Sequence, residues 1–251
     1  EYTGNVETTA GKTFTVEAGS TIKDATFDLK AEGTNEADAS RVGFVDAGEI
    51  SVSGENTFRD FVTFEGNTKF NANEGEAAKM NVEGDLTVKK GDGESDIVGS
   101  DGALVLDNDT TAFKVGNTTF EDGTRISLYK AAAGENGDAA SGDASNLAIA
   151  ADKTVTFKGN NKIAASNGDH AKSQFNISGE AGSSINVEGT VDVAIDTTID
   201  GANVNIANSG NVPARLELGA DKTLSISNSN VSMNGAPDGK FNGIGNANGE
   251  G

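Results

Sequence analysis

Asp192, Asp196 and Asp200 recur at intervals of four residues. Clustered carboxylates are the minimum equipment for glycoside hydrolysis, in which one acid protonates the leaving oxygen and a second acts as base or nucleophile. Enzymes that cut polysaccharides also offer cations for acidic sugars and aromatic rings for stacking. This chain has no Trp and only two Tyr, Tyr2 and Tyr129. Asp192 lies between Val191 and Val193, so an alternating strand turns it to solvent, and Asp196 and Asp200 read as turn positions. Solvated faces are the better reading of all three, and no catalytic residue is assigned.

Other reactive constellations are weaker still. Ala10-Gly11-Lys12-Thr13 resembles the end of a phosphate loop, but the glycine required five residues before Gly11 is Val6. The glycine-rich "GIGNANG" from Gly243 follows no strand signal and has no helix pattern after it, so it is not a dinucleotide loop. His170 is the single histidine and sits in the polar run "SNGDHAKS". No Ser stands in an elbow motif that would use it as a base. Cysteine is absent, which excludes disulfides and thiolate metal sites. Hard oxygen ligands are plentiful: Asp92, Glu94 and Asp96 in "DGESD", Asp107 and Asp109 in "DNDT", and the run "DAASGD". Calcium is the ion such flexible acidic loops suit, although neither the EF-hand nor the nonapeptide calcium repeat is present. No other cofactor is implied.

The elements that carry these residues are strands. "GKTFTV" opens at Gly11, "DKTVTF" at Asp152 and "DKTLSI" at Asp221. Each is a turn followed by alternation of apolar and hydroxyl side chains, the pattern of a half-buried strand. Phe14 and Val16 are expected inside, Thr13 and Thr15 outside. From 175 to 233 such strands follow one another, with Gly, Asn, Ser and Asp between them. Val187, Ile206 and Ile226 mark a spacing of roughly 20 residues, which is the signature of a stacked repeat. The 33 glycines and two prolines fit many strands joined by tight turns. The expectation is an all-β fold, a right-handed parallel β-helix (β-solenoid) with roughly 20 residues per coil.

Four acidic stretches read as excursions from the coils: "AEGTNEADAS", "NANEGEAAK", "KKGDGESDIVGSDG" and "AAAGENGDAASGDASN". Nine of the 12 Phe residues precede residue 121, which predicts an aromatic filling of the first half of the core and Ile, Val and Leu in the second. The solenoid is expected over residues 1–233 as one domain, with 234–251 as a Gly/Asn-rich tail or linker. The outward pairs Thr13/Thr15, Thr154/Thr156 and Thr223/Ser225 are too far apart to form one continuous row.

The net charge of −20 keeps a large surface soluble and argues against nucleic acid and anionic membranes as partners. No apolar run approaches a membrane span. The start at Glu1, without Met or leader pattern, is expected of a mature or excised segment.

The phrases "AGKTFTVEAGSTI", "ADKTVTFKGNNKI" and "GADKTLSISNSNVSM", with "SINVEGTVDVAI" between them, resemble the passenger domains of bacterial autotransporter adhesins. The resemblance covers most of residues 11–233 and is one of texture, without a diagnostic motif. It implies an extracellular, non-enzymatic protein on a bacterial cell surface, binding host or matrix glycans and proteins or identical copies of itself as a homo-oligomer. A surface-layer or filament subunit shares the same texture, and a polysaccharide-acting β-helix hydrolase or lyase is the enzymatic rival.

Overall fold

The computed structural model describes residues 1–7, 12–28, 41–72, 78–91, 103–107, 110–129, 144–165, 174–235 and 241–246. The named elements are 25 β-strands, and every pairing between them is parallel. Parallel neighbours cannot be joined by a hairpin, so the chain must travel round the molecule before laying down the next strand.

Three ladders run the length of the stack. The first comprises β1 (Tyr2–Val6), β3 (Thr21–Phe27), β5 (Gly48–Phe58), β8 (Ala78–Val82), β11 (Thr110–Val115), β14 (Ala144–Ile149), β17 (Gln174–Gly179), β20 (Asp196–Asp200) and β23 (Leu224–Ser227). The second is a separate nine-stranded sheet: β2 (Thr13–Val16), β4 (Arg41–Val45), β6 (Phe61–Glu65), β9 (Leu86–Lys89), β12 (Thr118–Phe120), β15 (Thr154–Phe157), β18 (Ser184–Val187), β21 (Asn203–Ala207) and β24 (Val231–Asn234). The third continues from β5 through β7 (Thr68–Ala72), β10 (Ala103–Asp107), β13 (Arg125–Tyr129), β16 (Asn160–Ala165), β19 (Thr190–Val193), β22 (Arg215–Leu218) and β25 (Gly243–Asn246). The first and third ladders form one 16-stranded sheet because β5 bends round a corner. Its first half pairs with β7 and its second half with β8. The fold is thus the expected parallel β-helix, three-sided, with nine coils along the second ladder and an axial length of about 38 Å at ~4.8 Å per strand.

The coil length varies. Ser184 pairs with Asn203, 19 residues on, and Gly48 with Thr68, 20 residues on, whereas Thr118 pairs with Val155, 37 residues on. The expected step from Val187 to Ile206 is a register pair, but the next partner of Ile206 is Met233. Ile226 belongs to the first ladder, opposite Ile199. The chain also re-enters the stack beyond residue 233, where β25 pairs with β22.

Alternation fills the core as the sequence pattern requires. Val16, Val42, Val62, Leu86, Val155, Ile185 and Val204 are all buried along the second ladder. Aromatic rings concentrate in the early coils. Phe27 and Phe58 stack at 4.7 Å and 9°, and Phe120 and Phe157 at 4.9 Å and 9°. Where rings converge from different faces they meet edge-on, as Phe44 does with Phe58 and Phe70. Both are the arrangements that the ring quadrupole favours.

Two asparagines that enter the core are satisfied at corners. Asn56 is 1% exposed; its Oδ1 accepts from the Ala25 N–H, and its Nδ2 donates to the Ser53 and Lys79 carbonyls. Asn161 repeats the device, accepting from Thr124 Oγ1 and donating to the Lys158 carbonyl. Each replaces backbone hydrogen bonds that a tight bend would otherwise leave unmade.

Candidate binding faces and their polar side chains

The three aspartates do not converge. The bend at Ala194–Ile195 between β19 and β20 places Asp192 on the third ladder and the other two on the first. Asp192 pairs with Lys162 at 2.8 Å, in a register file that runs Arg125, Lys162, Asp192, Glu217. Burial pushes the Arg125 guanidinium down, and the field of Asp192 opposes that shift. Asp196 and Asp200 are not in turns: they are the first and last residues of β20. The Asp196 carboxylate accepts from the Thr223 N–H at 2.8 Å. Asp200 accepts from Ser227 Oγ and Asn228 Nδ2, both at 2.7 Å, and these bonds hold its pKa below the ordinary value. A general acid needs the opposite shift.

Asp92, Glu94, Asp96, Asp109 and His170 lie outside the described residues, as does the run from Asp138 to Asp143. Asp107 closes β10, in register with Tyr129. Among the described residues no group of three or more His, Asp or Glu side chains is placed to hold a metal ion. Lys12 and Thr13 of the phosphate-loop look-alike lead directly into β2, where the Lys12 carbonyl accepts from the Arg41 N–H.

Two arrangements escape a reading of the sequence alone. The first is a corner in which a carboxylate lies over a glycine of the next coil. Asp46, at φ 42°, accepts from the Asn67 N–H, and its Oδ1 would lie 1.9 Å from a Cβ at Gly66, itself at φ +77°. Asp24 does the same above Gly54, accepting from the Glu55 N–H, and Asp122 above Gly159, accepting from the Asn160 N–H. Partners some 20–40 residues apart carry no local signal. Many of the chain's aspartates are thus turn hardware, in keeping with the tolerance of Asp for positive φ.

The second is the outer face of the second ladder. Register joins Thr15, Gly43, Thr63, Thr87, Thr119, Thr156, Asn186, Asn205 and Ser232 into one continuous file. This corrects the expectation that the threonine pairs stay apart: Thr63, Thr87 and Thr119 fill the interval between Thr15 and Thr156. Thr223 and Ser225 take no part, because Ser225 lies on the first ladder. The neighbouring file begins Thr13, Arg41, Phe61 and continues later through Thr154, Ser184 and Asn203, so there is no second row of threonines.

Towards the last coils these side chains hold one another. Asn205 Nδ2 donates to Asn186 Oδ1 at 3.0 Å, Ser232 Oγ to Asn205 Oδ1 at 2.8 Å, and Asn230 Nδ2 to Asn203 Oδ1 at 3.1 Å. The Thr154 and Ser184 hydroxyls lie 2.9 Å apart. Strands β12, β15, β18, β21 and β24 contain no charged residue. In a chain of net charge −20 this is an uncharged, flat and preorganised patch.

No family model, curated protein or solved structure matches the chain.

Proposed function

We propose that this chain is a non-enzymatic surface module, similar to an autotransporter adhesin passenger, that works by display and by weak polar association, on the outside of a bacterial cell. The observation that carries the reading is the uncharged hydroxyl and amide face of the last five strands of the second ladder. Its side chains are already held by their neighbours along the file, so a partner would order few new rotamers on binding. Its lack of charge removes the repulsion that the rest of the surface imposes on a second copy. The enzymatic rival is weakened by the separation of Asp192 from Asp196 and Asp200 on different ladders.

Geometry limits the strength of any one contact. Five strands at ~4.8 Å, each about four residues at ~3.3 Å, offer about 300 Å². A stable interface takes about 800 Å² from each partner. Pairwise binding is therefore weak, and useful avidity comes from many copies on one surface.

The test is light scattering of the purified chain across concentration, with electron microscopy of the same samples and binding to plates coated with glycans or matrix proteins. Reversible small oligomers or plate binding support the adhesin reading. Ordered filaments or sheets transfer the function to self-assembly. A monomer at every concentration that binds no coated surface overturns the proposal.

A further inference from the structure

The last two strands of the third ladder frame a notch of about 350 Å³, lined among others by Arg215, Glu217, Phe241, Gly243, Gly245 and Asn246. That volume lies at the lower end of small-molecule sites, on the order of 300 Å³. Gly243 stands in register with Arg215 and Gly245 with Glu217. A Cβ at either glycine would meet nothing within 4 Å, so the notch exists because side chains are missing above two long polar ones.

Phe241 is 79% exposed, yet its carbonyl and the residue after it are tied down. Asn242 Oδ1 accepts from the Ala214 N–H at 2.9 Å, and its Nδ2 donates to the Asn234 carbonyl at 2.6 Å. Arg215 Nε donates to the Phe241 carbonyl at 3.3 Å. The molecule thus holds an apolar ring in water beside a guanidinium and a carboxylate, with Arg215 and Glu217 3.5 Å apart. That set presents donors, acceptors and an aromatic face to one small volume.

We propose that this notch docks one neutral pyranose unit of a glycan, its C–H face on Phe241 and its hydroxyls shared between Arg215 and Glu217. Neutrality follows from charge: Glu217 already offsets Arg215, and an acidic sugar would approach a carboxylate on a chain of net charge −20. The inference rests on the surface-binding reading and names a ligand class for it.

Saturation-transfer NMR on the intact chain tests it, with methyl β-glucopyranoside, methyl β-galactopyranoside, methyl α-mannopyranoside and, as charged control, glucuronate. Transfer to the ring protons of at least one neutral sugar is expected. Phe241→Ala should weaken binding roughly fivefold to tenfold with unchanged circular dichroism. Gly243→Val, which fills the notch with a residue strands accept, should abolish it. Absence of transfer to all three sugars, equal transfer in both variants, or preference for glucuronate overturns the proposal. If the chain still self-associates or binds coated plates in that event, only the notch is lost; if it does neither, the surface-binding reading falls with it.

Discussion

Phe58 and Phe61 are three residues apart and look alike in sequence, but they do different work. Phe58 is fully buried and stacked on Phe27, whereas Phe61 is half-buried on the outer face of the second ladder. Phe58→Ala should cost about 3–5 kcal/mol in denaturant unfolding, and Phe61→Ala less than about 1 kcal/mol. A similar contrast holds for glycine. An alanine at Gly66 combines a left-handed backbone with a Cβ 1.9 Å from Asp46 Oδ1, and should cost about 2–3 kcal/mol. At Gly219 the nearest atom would be 3.4 Å away, ordinary contact, and thermal melts should show Gly219→Ala near neutral. Acid sensitivity belongs to Glu180 and Asp200. Glu180 is lowered chiefly by the Lys114 ammonium, which reaches it at 2.5 Å, and Asp200 by Ser227 and then Asn228. Because both folded values lie below the ordinary 4.5 and 3.8, the stability they add is complete above those values. It is lost as pH falls below them through the folded values. Asp200→Asn should flatten that part of the melting-temperature profile, and an unchanged profile would exclude the role.

At the scale of elements, the alternation of side chains made β2, β15, β17 to β19 and β21 to β24 legible. β20 was not, because the carboxylates at Asp196 and Asp200 look like turn residues although Thr197 and Ile199 between them are buried, and neither was β25, where glycines take alternate positions. Face assignment was not legible. The phrases at Gly11 and Asp152 lead into the second ladder, and the phrase at Asp221 leads into the first. Asp152 and Asp221 adopt the same left-handed turn, φ 57° and 59°, so local sequence encodes turn and strand but not the side of the prism. That depends on the length of the preceding excursion, which no six-residue pattern contains. The polar faces stayed hidden for the same reason, since their members meet only through register. Stability should also vary by element. Strands β23 to β25 pair on one side only, with Val231 and Met233 42% and 49% exposed, while β18 and β19 are paired on both sides. Amide exchange should be fastest in β23–β25 and in β1 and β2, which likewise pair on one side only, and slowest in β18–β19, following nearest-neighbour stacking. Uniform protection would contradict a stack held together coil by coil.

For the whole molecule, the balance lies between a −20 surface and one uncharged face. Repulsion between copies is screened within ~10 Å at 0.1 M salt and ~3 Å at 1 M. Light scattering should therefore show association rising with salt. Asn205→Asp, which places a carboxylate in the middle of the neutral file, should suppress it while leaving the fold intact. Association that is indifferent to both would move the contact elsewhere.

From β5 onward, every passage from the first ladder to the second takes only two to four residues and the later long insertions enter at the other two edges of the prism, the 13 residues between β3 and β4 being the earlier exception. From β5 onward that first-to-second edge is a seam kept clear of ornament. Added chain decorates the molecule without lengthening it, since axial length counts strands and not residues. Chain can therefore be added at two edges without disturbing the third, which past β5 stays a straight margin.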